Sequence, residues 1–470
     1  MAEPRRLGDP PDWRCRSGAD WPWLQATRRQ AFERFRMSGI PDTGVEAWKY
    51  TPLGDLAERG FSFVDRASSG TADPECVDPE RTDVESPDRD RGSWPAGHRL
   101  LFRDGRWCKQ GSHLLPLPPG ARLMPLREAI ERRLPELESA LGQVVRLDDQ
   151  PFAALNAARF DDGVLLYLPR GCMLEQPIYC RFETRAEAEP AASFPRLLVL
   201  MEPGSQARLL EEHVGTGSDA LTDLLAEIRL GDDARLFHGR LFAAELNDRR
   251  ISGIHVRQAR GSRYHNYTLT LGGALGRNDL RVGLEGEGAE VLLDGLYLLD
   301  ELQHLDNHLR VDHHRPGGRS DQFYKGILGG RARAVFNGLA VVHPDAQRSD
   351  ARQINRNLLL SAGAEVDTKP ELQIEADDVK CSHGATVGCL DREQLFYLRS
   401  RGIDHDSAQA LLTFAFARET LQRLPRDLRR GYEALLTAAL SERYGARLDP
   451  SWLNQDPAPA GEEAVDDRSR

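Results

Sequence analysis

The chain has 470 residues, long enough for two or three domains, with 62 Lys and Arg against 73 Asp and Glu and a formal net charge of −11. That acidic balance, without a basic stripe to neutralise phosphates, argues against a nucleic-acid partner. The longest aliphatic run, at 197–201, is far too short to span a bilayer, and the first 18 residues hold no apolar signal core, so a soluble, cytoplasmic chain without a membrane role is expected.

Residues 1–18 read as disordered. From Asp20 to about Met37, Trp23, Leu24, Ala31, Phe32 and Phe35 fall near one helical face, and Ser38-Gly39 with Pro41 ends the helix. Trp48-Lys49-Tyr50-Thr51 follows, and core packing suits it better than chemistry. This N-terminal helical region (1–64) gives way at 65–98 to a linker rich in Asp, Pro, Ser and Gly and poor in aliphatics. A mixed α/β lead-in (99–162) opens with a hairpin around Asp104-Gly105, then two short helices near 125–142 and 150–160.

Between 163 and 390 short aliphatic runs alternate with turns, whose glycines at 171, 204, 231, 261, 288, 330 and 363 recur irregularly. Stacked β units, each too small to bury its own apolar face, account for the pattern. Spacing alone leaves a β-helix and a sandwich both open, and leans to the former. A C-terminal helical region (391–449) starts at a capping signal, Asp391 with Gln394, continues in a second helix from Asp404 or Asp406, and ends in a third that stops at Gly445. The tail (450–470) is acidic, rich in Pro and Ala, and reads as disordered.

The densest chemistry lies in Glu375–Gly388, EADDVKCSHGATVG. If the segment is extended, its period of two puts Cys381 and His383 on one face, with Cα atoms about 6.6 Å apart. Gly384 and Gly388 would keep bulk away from that face. A structural zinc site needs four ligands, whereas this pair offers two. Seven cysteines, at 15, 76, 108, 172, 180, 381 and 389 with no C-x-x-C, argue against a disulfide framework. Cys172/Cys180 and Cys381/Cys389 share a spacing of eight and read as buried pairs around turns. His304, His308, His313 and His314 form a second cluster. On a helix the first two would be a metal pair, but Leu309-Arg310-Val311 and the following Pro-Gly-Gly suggest a strand and turn, which separates them into a polar rung. No P-loop, G-x-S-x-G or H-E-x-x-H is present, so no nucleotide is expected on this chain.

VDTKPELQIEADDVKCSHGATVG, followed at once by DREQLFYLRSRGI, resembles the SufB/SufD family of scaffold subunits in SUF iron–sulfur cluster assembly. So do RAVFNGLAVV (333–342), NRNLLLS (355–361) and SGIPDTGVEAWKYTPL, whose Trp48–Thr51 is typical of the SufD branch; the resemblance covers about residues 20–445. It implies a right-handed parallel β-helix core flanked by helical regions, and a non-enzymatic scaffold. It also implies pairing with SufB and docking of the ATPase SufC on the C-terminal helices, with Phe396, Tyr397, Arg399 and Arg401 as candidate contacts. A minor homodimer and a flavin on the assembled complex stay open. Clusters are held by four ligands, mostly thiolates, so one Cys and one His need ligands from a second chain. In the family the nascent cluster is placed at the SufB–SufD interface, and the histidine facing a SufB cysteine matches His383. Cys381 is the second candidate, more a buried neighbour than a ligand. Cys389 departs from the family's long polar residue and stays unassigned. Asp306, His308 and His313 match recurring polar positions without a role. The competing reading is a β-helix carbohydrate-active enzyme. It would need paired carboxylates or a basic residue on an exposed rung, usually with a secretion signal.

Overall fold

The computed structural model describes residues 5–54, 56–63, 94–186, 190–217, 219–244 and 247–445. The expected linker up to residue 93 and the whole expected tail lie outside the described residues. The chain divides into two units, the first running to Cys389 and the second comprising the chain from Leu390 together with Trp94.

The first unit opens with β1 (Arg5–Arg6), α1 (Pro22–Ser38) and β2 (Gly60–Phe63), then the hairpin β3 (His98–Arg103) and β4 (Arg106–His113). Next come β5 (Arg122–Pro125), α2 (Leu126–Glu131), α3 (Pro135–Ala140) and α4 (Pro151–Arg159). The early β stack holds β6 (Gly163–Leu168), β7 (Ile178–Ala186), β8 (Ala191–Ser193), β9 (Arg196–Met201) and β10 (Gln206–Gly217). Then follow β11 (Ala220–Leu230), β12 (Arg235–Ala244), β13 (Arg249–Gln258), β14 (Arg263–Gly272), β15 (Leu275–Leu284) and β16 (Glu290–Leu299). The last are β17 (His304–His313), β18 (Arg319–Leu328), β19 (Arg333–Val342), β20 (Asp350–Leu359), β21 (Glu365–Ile374) and β22 (Lys380–Gly388).

From β10 onward successive strands alternate between two sheets. The odd strands β11 to β21 pair in one, the even strands β10 to β22 in the other, all parallel and in register. This is a parallel β-helix, as expected. It begins earlier in the chain than residue 163, because β3 pairs with β7 and β2 with β8. The two turn columns explain the irregular glycines. Left-handed backbone stacks at Gly171, Gly204, Asp233, Gly261, Gly288, Gly317 and Arg348, each N–H bonding to the turn one rung on. Gly330 belongs to the turns on the opposite side, and at Gly231 it is the nearby Asp233 that takes the left-handed conformation.

Residues 5–18, expected to be disordered, are packed. Leu7 is fully buried, and Ser17 donates from its backbone to Asp161 Oδ1 at 2.6 Å and from its hydroxyl to the Asp161 carbonyl at 2.8 Å. Buried charge, which composition scores as disorder, anchors this segment: Arg16 reaches the Arg159 carbonyl, and Arg28 the Ser17 carbonyl. Cys108 is disulfide-bonded, while Cys172, Cys180, Cys381 and Cys389 are free thiols. Cys180 is buried, but Cys172 is half-buried and Cys389 exposed, so neither spaced pair is a buried pair.

On the odd-strand side of the space between the sheets, Ile254, Leu280 and Leu309 stack in one apolar column, beside a buried polar column of Ser252, Asn278 and Asn307. On the even-strand side Gly295 lies in register with Tyr324, and Tyr297 with Gly326. Each ring therefore covers the glycine of the neighbouring rung. A Cβ at Gly326 would sit 2.2 Å from the Tyr297 ring and 2.4 Å from Asn357 Oδ1. In the second unit, α5 (Arg392–Ser400), α6 (His405–Leu421) and α7 (Arg426–Tyr444) follow the predicted boundaries, with Asp391 and Asp404 as N-caps and Gly445 in the left-handed conformation. Trp94 packs edge-on against Tyr432 at 5.2 Å.

Overpacking a filled core costs about 1–3 kcal/mol, so Gly326→Ala should lower the urea midpoint by that amount. Gly384, whose Cβ would meet nothing within 4 Å, provides the comparison: Gly384→Ala should shift stability by less than about 0.5 kcal/mol. Equal midpoints for the two variants would refute the ring-over-glycine packing.

Candidate functional site

β22 is the terminal strand of the even sheet and, among the described residues, pairs only with β20. Register fixes which of its side chains share the row that faces the other sheet. Cys381 lies opposite Ala351, His383 opposite Gln353, Ala385 opposite Asn355 and Val387 opposite Asn357. All four partners are buried, between 0% and 3% exposed. Cys381 and His383 therefore share a face, as their spacing predicts. At the last rung that face loses its cover: Cys381 is half-buried and His383 exposed. The other sheet ends alike at β21, whose Val366, Thr368, Pro370 and Leu372 continue the buried row Ala334, Phe336, Gly338 and Ala340 but are themselves only half-buried.

Cys381 packs against the cluster of Val342, Ala346 and Ala376. Burial pushes its thiol up, so at neutral pH it is a protonated S–H rather than a thiolate. Of the two, His383 is the more exposed. Behind it lies an amide column: Gln322, Gln353 and His383 stand in register. Both polar side-chain atoms of Gln322 and of Gln353 are buried without a hydrogen-bond partner among the described residues. Gly384 and Gly388 face open space, so no close approach within the chain requires a glycine at either position.

The histidine cluster is dispersed, as the strand-and-turn reading predicts, and two of its four members, His304 and His308, belong to a clamp on the N-terminal segment. Outward-facing Asp306 accepts from Thr51 Oγ1 at 2.6 Å and from Arg277 at 2.5 Å, and lies 2.9 Å from His308 Nε2. His304 Nε2 also lies 3.0 Å from Thr51 Oγ1. Trp48, 5% exposed, is sandwiched between the Arg277 guanidinium, 3.8 Å from its centroid, and Phe152. The Trp48–Thr51 motif is a latch onto β15 and β17. His313 faces inward and is 2.8 Å from Ser320 Oγ. His314 stacks on His343 of the next rung with ring centroids 4.4 Å apart.

One buried cluster escaped the sequence reading. Glu211 lies between the sheets with His213 at 2.8 Å, His238 and Arg240. Burial alone would raise the Glu211 carboxyl, but His238, His213 and Arg240 hold it well below the carboxylate range. Burial drives His213 down to about 4. The alternation of aliphatic runs and turns marks this region as strand, but nothing in it marks the inward face as charged. In the second unit Phe396 and Tyr397 are 73% and 56% exposed, and none of α5 is buried. Asp391, Arg392, Phe396, Tyr397 and Leu412 line an open groove of about 960 Å³. Arg399 and Arg401 are exposed too, with Arg401 5.1 Å over the Tyr397 ring, so the four expected partner contacts share one helix end. No helix among the described residues is long and apolar enough to cross a membrane.

Comparison with known proteins adds an independent line. Residues 182–416 match the family described as SUF system FeS cluster assembly, SufBD core domain, and residues 17–180 match the SufBD protein N-terminal region. An iron–sulfur cluster assembly SufBD family protein of Synechocystis sp. is 31% identical over 87% of this chain and 89% of its own. The iron–sulfur cluster assembly protein SufD of Escherichia coli is 30% identical over 89% and 93%, and that of Bacillus subtilis 27% over 60% and 64%.

The latch should be acid-labile. Burial raises the Asp279 and Asp306 carboxyls, but Arg277 and His308 outweigh it, holding Asp279 at about 2 and Asp306 below its ordinary value. A depressed native pKa contributes stability that is present above the unfolded value of about 3.9 and lost as pH falls through the native one. Melting temperature should therefore drop more steeply below about pH 4 in wild type than in Asp279→Asn. At neutral pH Thr51→Ala, which removes a hydrogen bond to a buried carboxylate, should cost about 1.5–3 kcal/mol by urea denaturation. A Thr51→Ala midpoint equal to wild type would show that the latch bears no load.

Proposed function

The chain belongs to the SufBD family of iron–sulfur cluster assembly proteins, and from that premise we propose that it is a non-catalytic scaffold subunit of the SUF system. It pairs with SufB and presents His383 to a cluster forming between the two chains. The observation that carries this reading is the open last rung. His383 continues a row whose inner members are all buried, yet is itself exposed. An edge strand with free backbone groups calls for cover, and β21 and β22 offer two such edges at one end. A neutral imidazole there is a sound borderline ligand for iron, and a thiolate-rich partner would complete the set of four. Gln353, adjacent in register, is the group placed to orient the ring.

The helical unit is the docking module for SufC. Phe396 and Tyr397 supply apolar anchors of the kind that dominate interfaces, flanked by Arg399 and Arg401. ATP-driven closure of SufC would then bias the geometry of the SufB pair, a two-state coupling in which this chain hydrolyses nothing. Flavin, where it binds, belongs to the assembled complex.

His383→Ala removes an exposed side chain, so its melting curve should match wild type to within about 0.5 kcal/mol. Co-expressed with SufB and SufC, it should still assemble the complex, but iron and acid-labile sulfide per complex should fall at least fivefold. Normal cluster content would sink the ligand role, and an unfolded variant would mark His383 as structural.

The paired change Phe396→Ala with Tyr397→Ala touches no buried residue of its helix. It should leave SufB binding and the melting curve intact while SufC recovery in a pull-down falls at least tenfold. Undiminished SufC recovery would remove α5 from the interface.

A further inference from the structure

A second cluster of ligating side chains lies at the end of β17 and β19, on the other sheet. β17 and β19 are in register up to the pair His313 and Val342, so the residues that follow, His314 and His343, stack across the rungs. Their rings lie 4.4 Å apart at 11°. Asp312, two residues before His314, projects from the same outward row, its Oδ1 3.4 Å from His343 Nε2. One ligand atom from each of the three residues lies within 4.8 Å of the others. The same turn column carries Glu285 one rung below and Glu375 one rung above, since Leu284 pairs with His313 and Val342 with Ile374.

We propose that Asp312, His314 and His343 form a binding site for a divalent first-row transition metal. Two imidazoles and one carboxylate are borderline donors, suited to ferrous iron, cobalt or zinc and poorly to magnesium or calcium, which take oxygen ligands. Ligand atoms about 2.0–2.2 Å from a tetrahedral ion lie about 3.3–3.6 Å apart, so the three donors are near enough to share one, and binding would turn the two rings out of their near-parallel stack until their in-plane lone pairs converge. The carboxylate is already oriented and charged. Arg310 donates to both its oxygens, at 2.7 and 2.8 Å, and overcomes the burial that would otherwise raise it. Burial and the neighbouring His343 push His314 down, so its ring is neutral and can ligate at pH 7. Neither nitrogen of that ring is hydrogen-bonded by another described residue. His314 is exposed and the other two half-buried, which gives an ion a way in. Three protein ligands leave positions for water or an incoming donor, the form of an exchangeable site rather than a structural one.

The test is a titration of the metal-stripped full-length chain with cobalt(II) at pH 7.5, read by visible ligand-field absorption and calorimetry. One equivalent should bind in a low-symmetry nitrogen and oxygen environment. His314→Ala and His343→Ala should each weaken that equivalent at least about tenfold, with unchanged melting curves. Excess magnesium should not compete, whereas zinc should. His383→Ala should retain the equivalent in full. Three results would overturn the site: no tight equivalent in wild type, equal binding by His314→Ala, or loss of the equivalent in His383→Ala.

Discussion

In a parallel in-register stack every backbone group that points along the axis is satisfied by the next rung, so the structure propagates but cannot close. Among the described residues each strand from β10 to β20 has a neighbour on both sides, whereas β21 and β22 have one. The same rule that buries Gln353 and Asn355 leaves the positions one rung further on in the open. A site at such an end requires no special loop or strained turn. It consists of ordinary interior positions from which the cover has been withheld, and that is why His383 is held by regular strand geometry yet reaches solvent.

The interior tolerates charge because the stack surrounds each charge with fixed partners. Between the sheets Glu211 meets two histidines and an arginine, and on the outer face of β9 and β11 Arg196 meets Glu227, which also accepts from the backbones of Gly142, Val144 and Val145. Removing one partner from such a pair leaves an uncompensated buried charge, a far larger penalty than the pair's net worth. Inside the helix polarity therefore costs little while the register holds, and much when it slips.

Much of this was legible in the chain itself. The helices at 22–38 and 392–444 announced their ends through Gly39, Asp391, Asp404 and Gly445, and the shared face of Cys381 and His383 followed from a period of two. The coil repeat was blurred because Asp233 and Arg348 take the left-handed turn position that Gly holds elsewhere, while Gly330 belongs to the opposite turns. Residues 5–18 were misjudged because their order comes from buried arginines bonding to carbonyls, which composition cannot show. His314 was grouped with its sequence neighbours, while its true companion, His343, lies one rung away and is adjacent only after stacking.

The latch of Thr51 on Asp306 spans 255 residues of sequence. During synthesis the amino-terminal segment leaves the ribosome long before its docking surface exists, and Trp48, packed on one side by Phe152, lacks the Arg277 cover on the other until β15 has been made and aligned. The coil can grow rung by rung through near-neighbour pairing, but this closure must wait for the middle of the chain, as a late and entropically expensive step. The segment made first is thus among the last to settle. Its docking reports that the rungs beneath it are in register, so a chain with a slipped coil would display a free tryptophan to the cell's chaperones.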